Sequence, residues 1–205
     1  MSVRLWGPVV VAAVLWFVMF SPWTAPRVNF WYTMTFSAVV LTTLATLSCR
    51  ECVTTLHFTL GQIVAGVAIA AVLWAVFWVG DKVSQLMFSF ARPEVDMIYG
   101  MKTGTDPTVV GLLLLLIIGP AEELFWRGFV QRGLSARWGA DAAFAVTLVL
   151  YTVIHMWAFN VMLLLAALVV GGCWGFLYRL RPQALPALIV SHAVWDVCAF
   201  VLFPF

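Results

Sequence analysis

The chain has 205 residues, 64% of them hydrophobic and only 10% charged, with a mean hydropathy of +1.03. Soluble domains carry about 25% charged residues, so this composition excludes a water-soluble globular protein and implies a polytopic membrane protein. A net charge of +2 with no basic cluster argues against a nucleic-acid partner, and the 11 Trp and 16 Phe suit lipid-facing and interfacial positions.

About 20 apolar residues are needed to cross a bilayer. Val3-Arg4 and the apolar run from Leu5 to Phe20 have the outline of a signal peptide. The following Ser21-Pro22-Trp23-Thr24-Ala25-Pro26 offers no good small-x-small cleavage site, so the run reads as a retained first span. A second span runs from Val28 to Ser48 and a third from Leu56 to Gly80, with His57 as an interfacial residue at its edge. Between them, Cys49-Arg50-Glu51-Cys52 is a lone C-x-x-C without a redox-fold context. Cys173 and Cys198 sit in apolar runs as small hydrophobes, so no disulfide framework is expected.

From Asp81 to Ala91, apolar residues at helical spacing alternate with polar ones, which predicts a short amphipathic helix lying in the interface. Residues 92–107 read as a polar loop, either a plain connector or a lid over a substrate. A fourth span begins near Thr108 and runs towards Arg132, with a kink expected at Pro120, which lacks an N–H. The apolar stretch from Ala142 to Tyr178 is too long for one span and divides near Met156–Asn160 into a fifth and a sixth; Leu185 to Phe203 makes a seventh. The expected architecture is thus an all-α bundle of seven spans. Its N-terminal region, 1–107, holds three spans, and its core, 108–205, holds four. Of the Lys and Arg outside the spans, six fall on the N-terminal side (Arg4, Arg50, Arg132, Arg137, Arg179, Arg181) and four opposite, which favours a cytoplasmic N-terminus.

The fourth span carries Gly119-Pro120-Ala121-Glu122-Glu123-Leu124-Phe125-Trp126-Arg127-Gly128. An unpaired charge at a helix centre costs roughly 2.5–3.5 kcal/mol in a membrane, so ionisable groups there are candidates for function. Glu123 and Arg127 form an i,i+4 pair with the acid on the favourable N-terminal side. Glu122 points about 100° away and has no partner on its own helix, leaving it available as a general base.

Further along, Tyr151 and His155 share a helix face, as do His192 and Asp196. At about 1.5 Å per residue, Glu122 and His192 reach similar depths from opposite ends of their spans, whereas His155 falls too close to the far side unless the fifth span starts well after Arg137 or is tilted. Two His and several carboxylates at one depth support three functional readings. One is a hydrolase whose water is activated by Glu122, and another is a zinc site of Glu122, His155 and His192; the third is a proton or ion pathway. The plainest alternative is that these groups pair only with each other.

Glu122-Glu123-x-x-x-Arg127, Tyr151-x-x-x-His155 and His192-x-x-x-Asp196 resemble, in order, the three motifs of the CPBP family. These are intramembrane proteases that include type II CAAX prenyl endopeptidases and bacteriocin-processing or self-immunity proteins. Flanking residues agree: Gly128-Phe129 after the first motif, Gly175-Phe176-Leu177-Tyr178, and Leu185-Pro186-Ala187-Leu188-Ile189 before the last. The resemblance covers about 108–205 and implies an intramembrane endopeptidase acting near the membrane surface, in a multi-pass protein of a prokaryotic plasma membrane. Glu122 and His155 would activate water, and His192 with Asp196 would form the oxyanion hole. Glu123 and Arg127 would support or orient Glu122. Tyr151 departs from the family's usual Phe and adds a hydroxyl able to enter the site. An ionised Asp196 cannot donate to an oxyanion, so it either keeps its proton or orients His192.

The resemblance implies no cofactor, with zinc as the alternative, and a peptide or protein substrate, lipid-modified or not, in contact with membrane lipids. A non-catalytic peptide-binding or immunity protein is the competing function.

Overall fold

The computed structural model describes residues 2–205, with side chains from Leu5 onward; the side chains of Val3 and Arg4, read above as a basic start, fall outside the described ones. The chain is an all-α membrane bundle, with no strand among the described residues. Its helices are α1 (Ser2–Phe20), α2 (Phe30–Ser48), α3 (Leu60–Met87), α4 (Ala91–Gly100), α5 (Pro107–Trp138), α6 (Ala140–Ala158), α7 (Val161–Leu180) and α8 (Pro182–Leu202). Six of them are long and apolar enough to cross a membrane, and α1 contributes a shorter apolar stretch, Leu5–Phe20. Local chemistry sets their starts. Asn29, Asp106 and Asn160 accept backbone N–H bonds at the heads of α2, α5 and α7, and Thr59 with Gln62 forms a capping box on α3.

Two details position the site. α5 and α6 are joined by Gly139 alone, at φ 83°, a conformation that an L side chain strongly disfavours. The resulting antiparallel hairpin brings residues equally far from Gly139 to the same depth. Glu122 and His155 therefore meet, because α5 continues beyond Arg132 to Trp138 and α6 begins at Ala140. Placing the end of the fourth span at Arg132 caused the apparent mismatch in the depth of His155. The second detail is α8, the most buried crossing helix. It is packed so closely that a Cβ on Gly119 of α5 would lie 2.8 Å from Ala193 Cα, and one on Gly66 of α3 would lie 2.6 Å from the Ala187 carbonyl oxygen. Small residues permit such backbone approach between membrane helices.

The structure corrects the expected layout in three places. Asp81 to Met87 is not a separate interfacial helix; it continues α3, whose 28 residues span about 42 Å and so outrun a hydrocarbon core of about 30 Å. Gly80 does not break the helix. Asp81 Oδ2 accepts from Lys82 Nζ at 3.0 Å and from Gln85 Nε2 at 2.6 Å, which ties three polar side chains together along this last stretch. Residues 92–107 are not a loop throughout, since α4 occupies most of them. An Arg92–Asp96 ion pair supports α4, and Pro93 lies in its first turn, where no N–H is needed. α4 is tied to its neighbours by Asn160 Nδ2 donating to the Glu94 carbonyl at 2.8 Å and Tyr99 Oη donating to the Ala199 carbonyl at 3.0 Å.

The third correction is a disulfide between Cys49 and Cys52, whose Cα atoms are 5.5 Å apart. It closes a single turn after α2 and links no distant elements. Its spacing is too short to make a framework, but its formation was not expected from the sequence.

Candidate active site

α5 is not a uniform α-helix. Leu114–Ile118 and Leu124–Gln131 are wound as π-helix on either side of Gly119–Glu123. Gly119 N donates to Leu114 O, five residues back, and Pro120 follows without an N–H of its own. The widened turn absorbs the proline, so the expected break becomes a π-bulge, a feature that recurs at functional sites. The segment carrying both acids stays helical and fully inside the bundle.

Glu122 is 7% exposed and faces a chamber of about 430 Å³. Tyr151 Oη donates to its Oε2 at 3.0 Å, so the added hydroxyl of the second motif does enter the site. Oε1 has no protein partner among the described residues. His155, His192 and Asp196 line the same chamber, whose remaining wall is mostly apolar, including Met34, Phe77, Tyr99, Val170 and Trp195. Among the described residues no Lys or Arg lines it.

Glu123 turns away from the chamber and is completely buried. Its Oε1 accepts from Arg127 Nη1 at 2.7 Å and contacts His192 Nδ1 at 2.9 Å. The i,i+4 pair predicted from spacing is therefore present, but the group that Glu123 orients is His192, not Glu122. Arg127 Nη2 also donates to the Gly171 carbonyl at 3.1 Å, and the guanidinium lies over the Tyr151 ring, 4.9 Å from its centroid. On its other side His192 Nε2 is 3.5 Å from Asp196 Oδ2, longer than an ordinary N–H···O bond. The imidazole stacks on Trp174 at 4.0 Å and 22°, and Trp174 Nε1 is held by Ser191 Oγ at 3.0 Å. His192 is thus fixed in plane and in depth.

His155 is held differently. Its Nδ1 is 2.7 Å from the Tyr151 carbonyl oxygen, and Trp16 Nε1 donates to its Nε2 at 3.1 Å. A carbonyl can only accept and an indole N–H can only donate, so these partners define a neutral ring with its proton on Nδ1. Neither nitrogen is free.

The zinc alternative can be tested against these partners. Both nitrogens of His155 are occupied, and Nδ1 of His192 is engaged by a carboxylate that already holds Arg127. Among the described residues no group of three or more His, Cys, Asp and Glu side chains is arranged to hold a metal ion. As arranged here, Glu122, His155 and His192 do not fit zinc.

All three motifs converge as expected. Sequence reasoning missed Trp16 and Trp174. A buried Trp within a span usually finds an acceptor for its N–H, which was the available signal for both, although Trp126 and Trp195 have none among the described residues. His57 is exposed between α2 and α3 and does not line the chamber.

Residues 104–198 match the protein family described as type II CAAX prenyl endopeptidase, Rce1-like. No curated protein and no solved structure matches the chain. The matched stretch includes Glu122, Tyr151, His155, His192 and Asp196, and leaves out α1 to α4.

Proposed function

With residues 104–198 forming an Rce1-like domain, the chain belongs to the CPBP family of intramembrane peptidases, and from that premise we propose that it hydrolyses a peptide bond by glutamate-activated water. The observation that carries this reading is the state of Glu122. One carboxylate oxygen is fixed by Tyr151 and the other faces the chamber without a protein partner.

Glu122 takes a proton from a water bound beside Oε1, and the hydroxide attacks the scissile carbonyl. His192 stabilises the oxyanion, its ring held by Glu123 on Nδ1 and by the Trp174 face, and Asp196 balances the charge near Nε2. Glu122 then returns its proton to the leaving amine. His155 flanks Glu122 as a neutral ring, held by Trp16 and by the carbonyl of Tyr151. The reading assigns no step to a metal. The mostly apolar chamber suits a peptide or protein substrate presented from the membrane.

The test is cleavage of a fluorogenic peptide library, prenylated and not, by protein purified in detergent. Removing a general base costs about 10²–10⁴-fold, so Glu122→Gln is expected to lose at least that much while remaining folded. Wild-type activity is expected to survive a chelator. Cleavage by Glu122→Gln at the wild-type rate would refute the base assignment, and chelator loss reversed by Zn²⁺ would refute the metal-free mechanism.

A further inference from the structure

α1 lies outside the matched domain, yet it supplies the group that holds His155. Trp16 is 1% exposed and sits behind the imidazole as seen from the chamber: His155 lines that chamber and Trp16 does not. The Nε2 lone pair therefore points into the protein, towards α1. Packing alone does not require this. The ring contact between Trp16 and His155 is edge-on, at 5.9 Å and 80°, and a phenyl ring would make it equally well. What the indole adds is its N–H.

His155 also sits where the helix changes its winding. His155 begins the 3-10 turn that ends α6, and this turn closes at Phe159 with φ 46°, a left-handed conformation for a bulky residue. The Tyr151 carbonyl fixes the proton on Nδ1, but it leaves Nε2 without a partner in mostly apolar surroundings. Among the described residues, Trp16 alone satisfies that nitrogen.

We propose that Trp16 is a positioning residue of the active site, whose indole N–H fixes the neutral His155 ring in the chamber wall against Tyr151, the residue that in turn holds Glu122. Losing that bond leaves a buried nitrogen unsatisfied and frees the ring to turn from its place beside Tyr151. The proposal rests on the reading that Glu122 hydrolyses a peptide bond with His155 at its side.

Trp16→Phe is expected to lower kcat about three- to tenfold, the range for one lost neutral hydrogen bond, with KM unchanged. In a His155→Ala background, Trp16→Phe is expected to change nothing further, since its effect runs through the imidazole. The ¹⁵N signal of His155 Nε2 reads the same contact without turnover and is expected to move in Trp16→Phe. If Trp16→Phe disturbs folding, benzothienylalanine at position 16 keeps the bicyclic shape and removes only the N–H.

An unchanged or raised kcat would overturn the proposal, as would an equal loss in the His155→Ala background or an unmoved Nε2 signal. Full activity of His155→Ala would instead remove the reading that His155 takes part in the reaction, while the Nε2 signal would still decide whether Trp16 holds the ring.

Discussion

The two histidines face one chamber from opposite kinds of surroundings. His192 lies between two carboxylates, Glu123 and Asp196, with a guanidinium one contact further on. His155 lies among Trp16, Phe20 and Tyr151, with a backbone carbonyl and an indole N–H as its polar partners. The first environment balances charge and the second restrains a neutral ring. The two imidazoles are therefore suited to different work: His192 to meet a developing negative charge, His155 to keep its place as a neutral ring. The contrast also separates the halves of the chain. The charged environment is built entirely within α5, α7 and α8, whereas the aromatic one needs α1.

The largest effect expected from breaking this contrast is on the His192 side. Glu123→Gln leaves Arg127 buried without a counter-ion and removes the anion beside His192 Nδ1. Breaking a buried pair in this way costs about 3–5 kcal/mol, so unfolding in detergent should shift by that amount. A loss below about 1 kcal/mol would mean that Arg127 is satisfied without Glu123, for which the Gly171 carbonyl is the one remaining acceptor among the described residues.

A smaller effect is expected from Asp196→Asn. Asn keeps an oxygen near His192 Nε2 and can itself donate, but the balancing charge is gone. At the observed 3.5 Å separation, kcat is expected to fall about tenfold with the fold intact, at the low end for a hydrogen bond to a charged group. Full activity would show that no charge is needed there and that donation to the oxyanion suffices.

The smallest effect lies outside the chamber, where α5 begins. Asp106 accepts from Thr108 N at 2.8 Å and Val109 N at 3.2 Å, and these bonds hold its carboxyl below the usual carboxylate range. Because the folded value is the lower one, this capping contribution is complete above about pH 4 and is lost as pH falls through the folded value. Asp106→Asn retains a capping oxygen, so its stability should decline less below pH 4 than that of the wild type. Identical acid-unfolding profiles would show that the cap does not contribute.

Much of the bundle was legible because composition and apolar run length suffice for it. Backbone groups in a bilayer must be satisfied within each segment, so long apolar runs can only be helices. The break between the fifth and sixth spans was legible at Asn160, the cap of α7. Element ends were less so: the pattern from Asp81 to Met87 is amphipathic, but nothing local stops α3 there. The Glu123–Arg127 pair followed from spacing on one helix. The contact between Glu123 and His192, residues 69 positions apart, did not.

The sequence by itself determined that this is a membrane-embedded α-helical chain, that Glu122 has no charge partner on its own helix, and that three motif pairs each share a helix face. Those properties depend on composition and on periodicity within single segments. Only the tertiary structure decided that Glu123 serves His192, that Gly139 sets Glu122 and His155 at one depth, and that Trp16 reaches His155. Each of these depends on how separate helices are packed, which is governed by close approaches such as Gly119 on Ala193 that no single segment encodes.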